Sequence, residues 1–282
     1  MYVDLHSHTT VSDGVLSPEE LVRLAVERGL KYLAITDHDA TEAIEPALEA
    51  AKSYPSFTII PGVEMSTDVT KGEVHLLGYF IDYRDSDFQR TLAHFRDSRQ
   101  ERARKMVQKL EAMGVHIQWE RVLEVAGDGS IGRPHIAQVM LEAGYISSIK
   151  EAFVKYLARD GPAYVARERL SPVEAVGMVT KVGGLPVLAH PGDIQNLDSL
   201  IVETKSAGLV GMEVHYDGYS KAEVQRLAKV AKKHGLVACG GSDYHGEGIG
   251  AQTDLGDVDV PMESVERLFA IARQRSNRMV PK

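Results

Sequence analysis

Short apolar runs alternate with amphipathic stretches along most of this chain, and the alternation predicts strands and helices in turn. Residues 2–5 alternate at period two and predict a short strand. Ser17-Pro18-Glu19-Glu20 is a capping box with proline at the first helical position. Leu21, Leu24 and Ala25 supply the apolar stripe of that helix, and Gly29 ends it. Strands are then predicted at 31–36, 58–63 and 73–81, the last containing HLLGYF, with a second helix over 41–53. Strand, helix, strand in this order suggests a parallel sheet. From residue 86 the period changes. Residues 86–170 hold no convincing strand and predict helices at 88–112, 118–126, 134–143 and 148–158, punctuated by Gly114, Gly127-Asp128-Gly129, Gly144 and Gly161-Pro162. At Ser171-Pro172-Val173-Glu174 the capping box returns. Strands follow at 185–189, 210–214 and 236–240, helices at 196–207, 220–234 and 262–275, and a short strand near 254–259. The expected organisation is an α/β barrel from residues 1–85 and 171–282, with 86–170 as an inserted helical subdomain.

Length and charge narrow this reading. A chain of 282 residues accommodates one α/β barrel of about 250 residues. No apolar run approaches the ~18 residues needed to span a membrane, and no signal peptide is visible. The single cysteine, Cys239, lies in an apolar run and reads as a small core residue, so a reducing, cytoplasmic location is the expectation. The net charge of −8 is unevenly placed: residues 86–170 carry 14 Lys/Arg and 11 Asp/Glu. An acidic body with a mildly basic insertion suits metal ligands in the first and phosphate contacts from the second, and argues against stable binding of duplex nucleic acid.

The polar residues at the ends of the apolar runs carry the chemistry. The first strand ends in His6-Ser7-His8, and side chains two apart in an extended segment point the same way. An HxH pair alone is weak, but the pattern recurs. Asp37-His38, Glu64, His190, His215, and Asp243 with His245 all follow later runs, where a barrel places its active site. His94, His116 and His234 fall on predicted helices or near their ends and read as surface residues. Mixed imidazole and carboxylate ligands suit Zn2+, Mn2+ or Fe2+, and about ten of them imply two or three cations, a pairing suited to in-line displacement at phosphorus.

Six ordered motifs, HSHTTVSDG, TDHD, GVE at 62–64, HLLGY at 75–79, AHPG at 189–192 and GSDYHG at 241–246, resemble the PHP (polymerase and histidinol phosphatase) family over nearly the whole chain. The GRPHIA of the insertion (132–137) is similar to the stand-alone 3′,5′-nucleoside bisphosphate phosphatase subgroup. The resemblance implies a distorted (β/α)7 barrel with a trinuclear site. The first metal would take His6, His8, Glu64 and Asp243; the second would share Glu64 and add His75 and His190; the third would take Asp13, His38 and His245. Asp13 stands where some members have histidine. His75 falls near the start of its strand, so either that strand runs antiparallel or its boundary lies elsewhere.

Around these residues, Arg133 and His135 sit at a helix start marked by Pro134, a natural anion site, and are expected to contact the substrate phosphate and to assist catalysis. Arg167 and Arg169 are secondary candidates. His215 is expected to touch the substrate or leaving group, or to support a ligand from behind, and Asp37 to orient a ligand histidine. Asp39 reads as a turn residue, and Tyr79, Tyr216 and Tyr219 as packing. No G-x-x-x-x-G-K-[ST] loop, no dinucleotide fingerprint following a predicted strand and no serine-nucleophile elbow occurs. The expected function is hydrolysis of small phosphomonoesters, such as nucleoside 3′,5′-bisphosphates or the 5′ ends of short oligonucleotides, by a metal-bridging hydroxide. The alternatives are a histidinol-phosphate phosphatase and a non-catalytic metal-stabilised module.

Overall fold

The computed structural model describes residues 2–69, 72–127, 131–166, 170–246 and 254–275. Arg167 and Arg169 lie outside them. Seven strands form one sheet in chain order: β1 (Val3–Asp4), β2 (Tyr32–Ile35), β3 (Thr58–Val69), β4 (Gly72–Tyr79), β5 (Leu185–Leu188), β6 (Gly211–Tyr216) and β7 (Val237–Gly241). Pairing is parallel from β1 to β3 and from β5 to β7, and β4 runs antiparallel to both neighbours. The two edges meet just beyond β1 and β7. Ser7 bridges Tyr244, and the His8 N–H donates to the Tyr244 carbonyl at 2.9 Å. The result is a distorted (β/α)7 barrel.

The helices follow from their caps and stripes. In chain order they are α1 (Pro18–Glu27), α2 (Ile44–Ala51), α3 (Ser86–Ala112), α4 (Trp119–Ala126), α5 (Arg133–Glu142), α6 (Ile149–Ala152), α7 (Pro172–Lys181), α8 (Leu197–Ala207), α9 (Lys221–His234) and α10 (Met262–Arg275). Both predicted capping boxes form, at Ser17/Glu20 and Ser171/Glu174. Three apolar clusters result. The largest joins the outer side chains of the sheet to helices on its flank, for example Leu33, Ile35 and Met212 with Leu21, Val179 and Leu227. A second joins the alternate, inward side chains (Leu5, Ala34, Leu77, Val187) to Leu268 of α10. A third is made only of side chains between 103 and 165. Phe88 and Leu92, early in α3, pack instead with the barrel cluster.

The structure departs from the sequence expectation in four places. β3 extends to Val69 rather than ending at residue 63, because β4 returns alongside it and pairs Glu64 with Leu77 and Ser66 with His75. Glu64 therefore sits within a strand, not at its end. No strand forms near 254–259: the Gly256 N–H is taken by the Asp4 carboxylate at 2.8 Å and the Val260 N–H by a local turn. The helix expected at 148–158 passes from α6 into one π-helical turn, Phe153–Leu157. α2 covers only eight residues, its start preceded by a turn.

Barrel closure depends on two side-chain-free positions. A Cβ on Gly240 would lie 2.0 Å from the His215 carbonyl oxygen, and one on Gly241 would lie 2.4 Å from the His6 nitrogen. Gly241→Ala is expected to destabilise the fold by about 1–3 kcal/mol through overpacking. Gly177→Ala on α7, where a Cβ meets nothing within 4 Å, should add about 0.5–1 kcal/mol. Urea unfolding of both variants checks this.

Candidate metal centre

The centre is built around Glu64, 1 % exposed in mid-β3. Its Oε2 faces His6 Nε2 and His8 Nε2 at 3.3 Å each, from the segment after β1, and His38 Nδ1 at 3.1 Å, from the loop after β2. Its Oε1 faces His75 Nδ1 at 2.8 Å, on β4, and His190 Nε2 at 3.2 Å, after β5. The antiparallel course of β4 is what carries His75 to the same end of the barrel as the loops after the parallel strands. Asp243, after β7, closes the first group, with Oδ1 at 3.1 Å from His6 Nε2 and 3.0 Å from His8 Nε2. Asp13 lies beside it, 3.3 Å from His245 Nε2 and 3.9 Å from His38 Nε2. Every residue expected from the sequence to ligate a metal thus converges on one place. His94 and His116 are exposed on the surface, and His234 pairs with Asp198.

A cation fits this arrangement on its own physical terms. His6 Nε2, His8 Nε2, His38 Nδ1, Asp13 Oδ1, Glu64 Oε2 and Asp243 Oδ1 are buried and have no hydrogen-bond partner among the described residues. Buried polar atoms left so are costly, and here they point at one another. With His75 and His245 they make three sets of side chains close enough to share an ion: His6, His8, Glu64 and Asp243; His38, Glu64 and His75; and His8, Asp13, His38 and His245. The donor set, imidazole with carboxylate, suits a divalent transition metal. Burial opposes charge on Glu64, Asp243 and Asp13, but the imidazoles around them hold all three carboxyls well below the usual range. Burial likewise opposes charge on His8, yet Asp243 and Glu64 hold it up at about 10. Burial drives His38 down to about 3.

A surrounding layer fixes these side chains. Asp37 accepts from the Thr9 N–H at 2.8 Å and from the Ser12 hydroxyl at 2.6 Å, and Ser12 Oγ lies 3.4 Å from His8 Nδ1. Asp37 thus reaches a histidine through Ser12. Asp39 is buried, not a surface turn residue, with φ of 48°. It accepts from Arg99 Nε at 2.6 Å, and Arg99 also donates to Ser66. Glu213 accepts from the His190 N–H at 2.7 Å and lies 3.1 Å from His6 Nδ1, and Tyr216 Oη donates to Asp243 Oδ2 at 2.7 Å. Glu213, Tyr216 and Arg99 were not among the expected site residues. An acid inside the apolar run GMEV was a visible signal for Glu213; Arg99, on a charged helix, had none. A register shift between Glu213 and His215 breaks the alternation of β6, so Glu213 and Tyr216 both reach the centre. His215 belongs to none of the three ligand sets and does not line the cavity beside the centre.

Beside the centre lies a cavity of about 330 Å3 between barrel and insertion. Asp13, His38, His75 and His245 of the centre, with Arg99, Arg102, Arg133, Met106 and Phe153, form its wall. Arg133 pairs with Glu73 at 2.6 Å and lies over the Phe153 ring at 5.6 Å. His135 is buried beneath this wall, where its Nδ1 accepts from the Gly132 N–H at 3.0 Å and caps the helix start.

Comparison with known proteins agrees with this geometry. Residues 4–161 match the PHP domain family. The chain is 38 % identical over 247 residues to the 5′-3′ exoribonuclease Rnm of Salmonella typhimurium, covering 86 % of this chain and 84 % of the relative. It is 34 % identical over 262 residues to the 3′,5′-nucleoside bisphosphate phosphatase of Chromobacterium violaceum, covering 91 % of each. A solved structure from Bifidobacterium adolescentis, assigned as a metal-dependent phosphoesterase, superposes with a TM-score of 0.87 at 30 % identity over 95 % of each chain.

Metal affinity should fall as pH falls. With its pKa at about 10, His8 carries a proton at neutral pH that a cation must displace. Apparent affinity should drop about tenfold per pH unit for each proton displaced. Competition with a chelator of known Mn2+ affinity at pH 6, 7 and 8 checks the slope, and an affinity independent of pH contradicts it.

Proposed function

The chain belongs to the PHP domain family; on that premise we propose that it is a metal-dependent phosphoesterase acting on small nucleotides, such as nucleoside 3′,5′-bisphosphates or the 5′ ends of short oligonucleotides. The observation that carries this is the convergence of imidazoles and carboxylates on Glu64 next to a cavity walled by arginines. The names of the relatives in Salmonella and Chromobacterium support the choice of nucleotides.

Two or three divalent cations, of Mn, Zn or Fe, would be held by His6, His8, Glu64 and Asp243, by Glu64, His75 and His190, and by Asp13, His38 and His245. The chemistry supplied by cations held there is activation of water near neutral pH and neutralisation of charge on phosphoryl oxygens. The chain's own groups do the rest. Arg133 and Arg99 line the same cavity as the ligand residues and suit a substrate phosphate, which would compete with Glu73 for the Arg133 guanidinium. Phe153 and Met106 offer an apolar surface to the remainder of the substrate. Residues 86–170 act as a lid that limits the cavity to small or single-stranded substrates. Among the described residues no helix is long and apolar enough to cross a membrane.

Phosphate release by Mn2+-loaded protein from adenosine 3′,5′-bisphosphate, short 5′-phosphorylated oligonucleotides and histidinol phosphate tests the proposal. The nucleotides should be preferred, and preference for histidinol phosphate would reassign the substrate. His8→Ala and Asp243→Ala should abolish turnover while keeping the fold. Arg133→Ala should chiefly raise KM. Full activity in either ligand variant would sink the scheme.

A further inference from the structure

Glu213 is fully buried on β6, where an acid is costly unless both oxygens are used. Both are. Oε1 lies 3.1 Å from His6 Nδ1, and Oε2 accepts from the His190 N–H at 2.7 Å. A carboxylate only accepts, so the first contact keeps a hydrogen on Nδ1 of His6 and leaves Nε2 for a cation. The second contact holds a strained residue. His190 is a non-glycine with φ of 27° and ψ of 59°, a conformation that persists only where the surroundings enforce it. In that conformation its Nε2 reaches Glu64 Oε1. His6 and His190 face opposite oxygens of Glu64.

We propose that Glu213 is a positioning residue shared by two cation sites, fixing the tautomer of His6 at one and the backbone of His190 at the other. The inference rests on the reading of those histidines as metal ligands. Glu213→Gln keeps the volume but offers one acceptor. If the amide oxygen takes the His190 N–H, the amide NH2 faces His6 Nδ1 and moves the hydrogen to Nε2, closing that nitrogen to a cation. If the amide is reversed, the His190 N–H loses its acceptor.

Mn2+ binding to the whole chain, measured by chelator competition together with the thermal midpoint of the metal-free protein, tests this. Glu213→Gln is compared with Tyr79→Phe, which removes an equally buried hydrogen bond, to the Leu5 carbonyl at 2.9 Å. Glu213→Gln, which satisfies only one of the two contacts in either orientation, should weaken Mn2+ binding at one site by about 10–100-fold, and Glu213→Ala, which removes both, at two sites, while Tyr79→Phe lowers the thermal midpoint and binds Mn2+ as the wild type does. Wild-type affinity in Glu213→Gln, loss at one site alone in Glu213→Ala, or a parallel loss of affinity in Tyr79→Phe overturns the proposal. A wild-type protein that binds no Mn2+ overturns the reading of the ligands themselves, which separates that failure from the failure of Glu213's role.

Discussion

Glu64 confronts five imidazole nitrogens, each within 3.3 Å of one of its two oxygens, at a position nearly closed to water. Such a grouping is unfavourable as bare side chains. The lone pairs of neutral imidazoles and carboxylates repel, and protonating every ring would crowd positive charge into a buried volume. Divalent cations held by these side chains would resolve the conflict. The rest of the structure serves to bring these groups, spread from residue 6 to residue 245, to one point and to hold them while metal-free.

The barrel meets that demand with one irregularity. A uniform run of parallel strands would place ligands only in the loops beyond strand ends. The β3–β4 hairpin instead extends above the barrel, so Glu64 sits on one strand and His75 on its antiparallel neighbour. Both then reach the site from rigid, paired backbone rather than from loops. Closure makes a similar demand at the other edge, where β7 must approach the His6 backbone closely enough to exclude any side chain at Gly241. The distortion of the barrel and the geometry of the centre are therefore one feature.

Much of this was legible in the sequence because it is local. The HxH at 6 and 8, the TDHD turn and the two capping boxes each act within a few residues, and the structure forms each of them. His75 near a strand start left two readings open, an antiparallel strand or a misplaced boundary, and the structure has the first. What the sequence hid depends on partners far away. Residues 64–69 are held as strand by β4, not by their own pattern. Arg99 finds Asp39 from a helix 60 residues on. Tyr216 points at Asp243 only because the register of β6 slips, which also takes His215 out of the place its alternation suggested. The same slip is invisible in a run that reads as a plain strand.

The insertion is tied to the centre more tightly than a flap on a flexible hinge would be. α3 is continuous for 27 residues, with Phe88 and Leu92 in the barrel cluster and Ala103, Met106 and Leu110 in the insertion cluster. Between them, Arg96 donates to the Asp39 carbonyl and Arg99 to its carboxylate, directly beside His38. The Asp39 N–H in turn donates to the Glu64 carbonyl at 2.9 Å. A displacement of the insertion about this helix would pull on Arg99, and through Asp39 on the loop that carries His38. The cavity and the loop that carries His38 therefore share one residue, since Arg99 lines the first and bonds Asp39 in the second.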